Sequence, residues 1–495
     1  MTNINKVKAI LLLCLIFCCS CSDFLQEVSQ DEIKPSTVDD LRALMNSEAY
    51  PYKLSTDLYL SLLTDEYQCN GLKNTNYLQI HQNGTAVFCW NPEMFDGRET
   101  FPTDANSWNT YYNKIKGCNV VKDYLSEVSG TEKEKNALLG QVLFLRAYYY
   151  MRLVMIYGQP YNGSGVNSET NLGVPLVLKM DVSDEYPSRN TLREVYDQIE
   201  ADFLESATLL EANYKQESVF RVGAPTVYAM LSRFYLYRGL PDDMAKVVTY
   251  ADKAIANGPS LTQLYTFESL FGNKGIYDTD VSKEAFWVYG SSSIKAQTYY
   301  MYTTYGNIEP YTISNDLLGL YDQTNDLRYK SYFYKAKDTS TGLSYSMASN
   351  KIGTAQINYG DHGIRIGEVY LNRAEALIRQ YKATGNDSKR VQALKDLNDL
   401  RQSRYEKNTY TSPIALTDAD DLLSFCLQER RRELCLEEGL RWFDIKRLGL
   451  SLTHTYIDTD GNSTVYTLKS GDLIYALPIP YDAIARNYKL IQNPR

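Results

Sequence analysis

The sequence predicts a mostly α-helical protein: a scaffold of tetratricopeptide-like helical hairpins (an α superhelix) carrying long irregular, aromatic-rich loops and a few short strands. Three observations predict it. Between Glu132 and Tyr157 the apolar residues Leu138, Val142, Leu145, Tyr149, Leu153 and Ile156 recur at intervals of three and four. Two helix–turn–helix units follow later in the chain, each close to the ~34-residue spacing of a tetratricopeptide repeat. Between the helical segments run stretches rich in Gly, Ser, Asn, Thr and Tyr, longer than the connections compact domains ordinarily use unless they carry function.

Lys6 and Lys8 open the chain with positive charge, and Ala9 to Cys19 is then almost wholly apolar. Such a run is too short to cross a bilayer, which takes about 20 residues, but it fits the apolar core of a secretory signal. Cys21 follows the small Ser20 and precedes Ser22 and Asp23, an arrangement that resembles a bacterial lipoprotein cleavage site. Residues 1–20 are therefore expected to be removed and Cys21 acylated; a plain cleaved signal is the competing reading. Several acyl chains hold a protein on a membrane where one does not. Ser22–Glu27 resembles the acidic tether that sends some lipoproteins to the cell surface.

The rest, 21–495, reads as one domain. The helix Glu132–Tyr157 also carries Leu139, Phe144 and Ala147 on its other side, which predicts burial on more than one face, and Gly158 and Pro160 end it. Thr191 is an N-cap whose capping box Glu194 completes. One hairpin runs from Pro225 to Gly239 and from Pro241 to about Asn257; a second spans Ile366–Tyr381 and Ser388–Arg404. A further helix is expected over Ala419–Gly439. The scaffold thus occupies about 105–160, 190–258 and 366–447. The excursions Asp65–Thr103, Asn162–Thr170, Gly272–Tyr311 and Asp338–Gly363 lack a helical period, although Ala285–Tyr289 alternates like a strand and points Trp287 at the core. Asp458–Asn462 fails as a calcium loop, because Ser463 stands where the turn glycine belongs, and reads as a hairpin turn.

Composition narrows the function. The 495 residues are 44% hydrophobic, enough for a packed core, and carry 51 Lys and Arg against 60 Asp and Glu. That acidic balance removes the cationic footprint of a nucleic-acid binder. Three histidines, His81, His362 and His454, leave little from which to build a His-based metal site. No dinucleotide, phosphate-loop, zinc-protease or nucleophile-elbow motif is present, so neither cofactor nor metal is expected. Past Cys21 the cysteines are Cys69, Cys89, Cys118, Cys426 and Cys435, unpatterned and odd in number, which is no disulfide framework. Tyrosine is the outlier, at 43 residues. It joins a flat apolar face to a hydroxyl, which suits either gaps between helices or the grip of an amphipathic ligand.

The charged run Glu429–Arg447 reads as a structural helix whose acids and arginines pair, with Trp442 and Phe443 packed beneath. Within it, Glu433–Arg447 closely resembles the Arg-Glu-x-x-x-Glu-Gly-x-Arg-Trp-Phe-Asp-Ile-Lys-Arg signature of the SusD/RagB family of surface lipoproteins. Leu143–Tyr148 with Tyr157-Gly158, Gly173–Val177 with Arg189, Arg365–Leu371 with Ala374–Ala376, Leu477–Pro480 and Gln492–Pro494 agree in order, so the resemblance covers nearly the whole chain. It implies a non-enzymatic, lipid-anchored protein of the outer membrane and cell surface. Such a protein captures oligosaccharides and passes them to a SusC-like TonB-dependent transporter; some relatives bind peptides. Outside the family, a glycoside hydrolase stays open, since two acids need only meet in space.

A sugar ring has an apolar face and a rim of hydroxyls, so an aromatic plane flanked by amides and charged groups matches it. The candidate ligand residues are Tyr67, Tyr77, Trp90 and Phe95 in the first excursion and Tyr299, Tyr300 and Tyr302 in the second. Asp65, Asn70, Asn76 and Arg98 are the nearby polar candidates. The expectation is a shared exposed aromatic strip; loop packing is the competing reading for each ring.

Overall fold

The computed structural model describes residues 34–495 except 97–105, 181–184, 267–275, 291–309, 338–341, 349–350, 352–361 and positions 53, 55, 74, 280 and 343. Eleven helices carry its frame: α1 (Val38–Leu44), α2 (Leu78–Phe88), α3 (Ser107–Tyr124), α4 (Glu132–Tyr157), α5 (Leu192–Asn213), α6 (Ala224–Arg238), α7 (Asp243–Asn257), α8 (Ile366–Thr384), α9 (Asp387–Arg404), α10 (Ala419–Leu434) and α11 (Leu440–Leu448). Four two-stranded antiparallel sheets decorate it. They pair β1 (Tyr67–Cys69) with β3 (Tyr311–Ile313), β2 (Ala285–Tyr289) with β6 (His362–Arg365), β4 (Phe333–Lys337) with β5 (Ser344–Ala348), and β7 (Leu452–Ile457) with β8 (Ser463–Leu468).

Local chemistry fixes the helix starts. Thr131 and Thr191 each accept the N–H of the glutamate three residues on, and Glu134 and Glu194 reach back to the cap, so two orphan donors are satisfied at each start. The all-round apolar α4 lies between α3 and α5 and is buried from Leu138 onward, apart from partly covered Leu139. Gly140 permits the close approach of α5: a Cβ there would sit 2.7 Å from Leu210 Cγ, and Ser206 Oγ donates to the Gly140 carbonyl at 2.6 Å. The hairpin α6–α7 packs on α8, where Asn372 donates to Ser232 Oγ at 3.1 Å, and α8 in turn packs on α9 and α10. This is the stacked-hairpin architecture the periodicity predicts. The turn at Asp458–Asn462 is also where expected, with the Asp458 side chain accepting the Asp460 and Asn462 N–H groups. Trp287 on β2 is wholly buried.

Two expectations need correction. The excursion 65–103 is not irregular throughout: it holds β1 and the three-turn helix α2. The helix expected over Ala419–Gly439 stops at Leu434. Leu436, Glu438 and Gly439 then take φ of 64°, 49° and 67°, and α11 starts afresh. Two non-glycine residues in the left-handed region cost about 1–2 kcal/mol each, so the surroundings must hold the turn.

They do so with buried charge. Glu433 accepts from Arg404 at 2.8 and 2.9 Å and from Arg365 and Arg328 at 3.1 Å. Glu284 bridges Arg365 and Arg404 at 2.8 Å, and Glu437 binds Arg365 and Lys351. All lie at 2% exposure or less. Burial alone would raise Glu433, but the three guanidiniums hold it well below the ordinary carboxylate range. The run 429–447 is structural, as expected. Its partners are mostly distant in sequence rather than one helical turn away, and they clamp β2, β6 and Lys351 onto α9 and α10.

Glu66 answers the same turn: both its oxygens accept the Leu436 N–H, at 3.1 and 3.2 Å. Burial raises it to about 7, more than that hydrogen bond and Lys351 lower it. A raised carboxyl pKa favours the protonated fold, so its contribution is complete below the unfolded value near 4.5 and is lost as pH rises through 7. Glu66→Gln keeps an acceptor without the charge. The variant is expected to gain on the wild type in melting temperature between pH 5 and pH 8, read by circular dichroism. A constant difference would place the titration elsewhere.

Candidate functional site

Helix α2 ends in a Schellman motif: the Asn91 N–H donates to the Ala86 carbonyl at 2.8 Å and the Trp90 N–H to that of Val87 at 3.1 Å. The left-handed position of that motif, normally glycine, is Trp90, at φ 51°. Its indole N–H donates to the Leu63 carbonyl at 3.0 Å, and its ring stacks on His454 of β7 with centroids 4.0 Å apart. The other face of His454 meets Phe88 at 4.2 Å. Both imidazole nitrogens contact carbonyl oxygens, those of Phe88 and Thr64, while burial holds the ring's pKa below its ordinary value. Thus a helix end and a distant hairpin fix one indole in a strained backbone conformation, the kind of feature that clusters at ligand clamps.

Trp90 floors an open depression of about 420 Å³, the size range of small-ligand sites. Thr85, Cys89, Asn91, Pro92 and Tyr466 of β8 line it too. Asn91 Oδ1 accepts the Glu93 N–H at 2.8 Å, which leaves its amide nitrogen to donate. The Cys89 thiol is pushed up to about 12 by burial and stays protonated. An indole edge with an amide, a tyrosine hydroxyl and a proline beside it offers a sugar a small apolar contact and polar groups to answer its hydroxyls. Among the described residues none of the lining groups is a carboxylate, so this surface offers no acid pair for glycosidic cleavage.

The other first-excursion candidates do not join it. Tyr67 is 5% exposed in β1, opposite Ile313; Phe95 is 5% exposed and meets Tyr59 edge-on at 5.4 Å; Tyr77 is 4% exposed. Their faces are covered because short elements fold this excursion onto the core, and the expected shared exposed strip is not formed by these rings. Even Trp90 is 7% exposed and offers an edge more than a face. Asp65 is engaged by Arg441 at 2.7 and 2.8 Å and by Arg431 at 3.3 Å. Burial would raise its pKa, but these arginines hold it below the ordinary value. Asn70 ties β1 to β3 through Thr312 Oγ1 at 2.9 Å. Both polar side chains therefore act as structural locks. Cys21, Arg98, Tyr299, Tyr300 and Tyr302 lie outside the described residues, as does the side chain of Asn76. Cys69 and Cys89 are both free thiols.

Sequence reasoning missed Tyr466 and His454. Their signal was the alternation on either side of the Asp458–Asn462 turn, which marks a hairpin but not the helix end on which it lands.

Residues 23–236 match a SusD-like family model described as starch-binding and associating with the outer membrane, and residues 273–495 match the SusD family model. Solved structures agree over nearly the full length. A Bacteroides vulgatus ATCC 8482 protein superposes with a TM-score of 0.69 at 23% identity, covering 94% of this chain and 99% of its own. A SusD superfamily protein of Bacteroides thetaiotaomicron VPI-5482 gives 0.69 at 22%, covering 93% and 100%. A SusD-like carbohydrate binding protein of B. vulgatus ATCC 8482 gives 0.66 at 22%, covering 92% and 97%. No curated protein matches the chain. Two family models that match residues 23–236 and 273–495, and the same stacked-hairpin fold in solved relatives, lead to one conclusion: the chain belongs to the SusD/RagB family.

Proposed function

We propose that this protein is a lipid-anchored, cell-surface glycan-binding subunit of an outer-membrane importer, which captures oligosaccharides and passes them to a SusC-like TonB-dependent transporter. Capture breaks no bond. The observation that carries the reading is Trp90, held at φ 51° on the floor of a 420 Å³ depression rimmed by Asn91 and Tyr466. A ring kept in a conformation that costs about 1–3 kcal/mol is one that the surroundings over-determine. Family membership and a carbohydrate-binding structural relative support the class of ligand. Acylation of Cys21 supplies the anchor, and Tyr299, Tyr300, Tyr302 and Arg98 of the excursions extend the binding surface.

Affinity electrophoresis against neutral polysaccharides, with a peptide panel in parallel, tests this reading. Retardation by a glycan is expected, with no change in glycan chain length on prolonged incubation. Binding confined to peptides would overturn the ligand class, and sustained release of shorter glycans would overturn the non-enzymatic role.

A further inference from the structure

A second cavity, of about 450 Å³, lies in the scaffold, well apart in sequence from the Trp90 surface. It forms where two helices end side by side: α6 stops at left-handed Gly239 and α8 at left-handed Gly385. Arg238, Arg379 and Arg447 line it, with Asn162, Gln380 and an apolar contribution from Pro160 and Pro241. Among the described residues none of the carboxylates that pair these arginines lines the cavity, and Arg238 is held by Glu200 and Asp243. Glu375 accepts from Nη1 and Nη2 of Arg447, at 2.7 and 2.8 Å, and from Nε and Nη2 of Arg379, at 2.9 and 2.7 Å. Glu375 and Asp444 together face three guanidiniums, those of Arg379, Arg430 and Arg447.

Three groups are left over. Arg379 is a third exposed at its side chain, and its Nη1 carries no hydrogen bond among the described residues. The Gln380 Oε1 is buried without a partner. Behind the cavity, sharing Pro160, Tyr237 and Arg447 as walls, a hollow of about 20 Å³ abuts Lys446. Its Nζ donates to the Met155 and Gly158 carbonyls, no carboxylate pairs with it among the described residues, and burial lowers its pKa to about 7. Cationic donors thus meet a lone amide acceptor and the carbonyl ends of two helices, which favour donors. A simple anion would use only the first set and a neutral sugar only the second.

We propose that this cavity is a second ligand site, which takes a carboxylated sugar: the carboxylate on Arg379 Nη1 in the field of Arg447, the hydroxyls on Gln380 and the helix-end carbonyls. This goes beyond the reading above, because it needs neither Trp90 nor its depression. A hexuronate fits a volume of this size, and guanidinium edges are suited to carboxylates.

Isothermal titration of the mature protein with D-glucuronate and D-galacturonate, against D-glucose and acetate, tests it. A uronate is expected to bind at least tenfold more tightly than either control. Arg379→Ala should weaken it tenfold or more, and Arg379→Lys should not restore it, with melting temperatures near that of the wild type. Uronate affinity unchanged in Arg379→Ala, or equalled by glucose or acetate, overturns the proposal. Uronate binding lost in Asn91→Ala but kept in Arg379→Ala would put the sugar at the Trp90 surface; the second site then falls while the first reading stands.

Discussion

Glu433→Ala is expected to cost about 3–5 kcal/mol of folding stability, the usual penalty for stripping one partner from a buried ion cluster. The residue is wholly buried and is shared by Arg328, Arg365 and Arg404. Removing it leaves three guanidiniums with Glu284, Glu429, Glu437 and Asp326 as their remaining acids. Urea denaturation followed by tryptophan fluorescence reads the loss. Glu433→Gln should fall between, because it keeps an acceptor for the arginines and loses the charge. A loss below about 1 kcal/mol for the alanine variant would mean that the cluster relaxes around the gap and that the left-handed turn at Leu436–Gly439 is held by something else.

The same cluster sets the acid limit. Glu437 is held at about 2 against its burial by Arg365 and Lys351. A depressed carboxyl contributes stability that is complete above the unfolded value near 4.5 and lost as pH falls toward 2. Acid unfolding of the wild type is therefore expected to steepen below pH 4.5, and Glu437→Gln should flatten that limb. Equal slopes in the two proteins would remove Glu437 from the account.

Trp90→Ala is expected to weaken glycan binding tenfold or more, as loss of a central aromatic contact does. It should also destabilise the fold by about 3–5 kcal/mol, because a nearly buried indole and its stack on His454 are lost. Since both losses come from one ring, a second substitution separates them. Trp90→Gly loses the same ring but relieves the left-handed backbone, so it should be about 1 kcal/mol more stable than Trp90→Ala and bind no better. Asn91→Ala, at the exposed rim, should lower affinity with little change in melting temperature. Undiminished glycan binding in both Trp90→Gly and Asn91→Ala would move the site to the excursion bearing Tyr299, Tyr300 and Tyr302.

Much of the frame was legible in the sequence because helices are local. The threes and fours of α4, the Thr–Glu capping boxes at Thr131 and Thr191, and the proline and glycine punctuation of α6–α7 depend on residues within a few turns of one another. Helix α2 was not legible: residues 78–88 include Gly84 and have few strong helix formers, and tertiary packing supplies what propensity does not. The break after Leu434 was hidden too, since its left-handed residues are Leu436 and Glu438 as well as Gly439, and distant charges stabilise them.

The sequence by itself determined the stacked-hairpin scaffold, the Asp458–Asn462 hairpin and, through the run ending in Arg447, the family. Tertiary structure alone decided which aromatic rings keep an open edge. Tyr67, Tyr77, Phe95 and Trp90 share one excursion and one kind of side chain. Yet β3 covers the first, the Tyr59 ring meets the third, and the last is pinned by a histidine from the far end of the chain. Side-chain exposure is set by contacts between segments remote in sequence, and neither periodicity nor composition encodes those contacts.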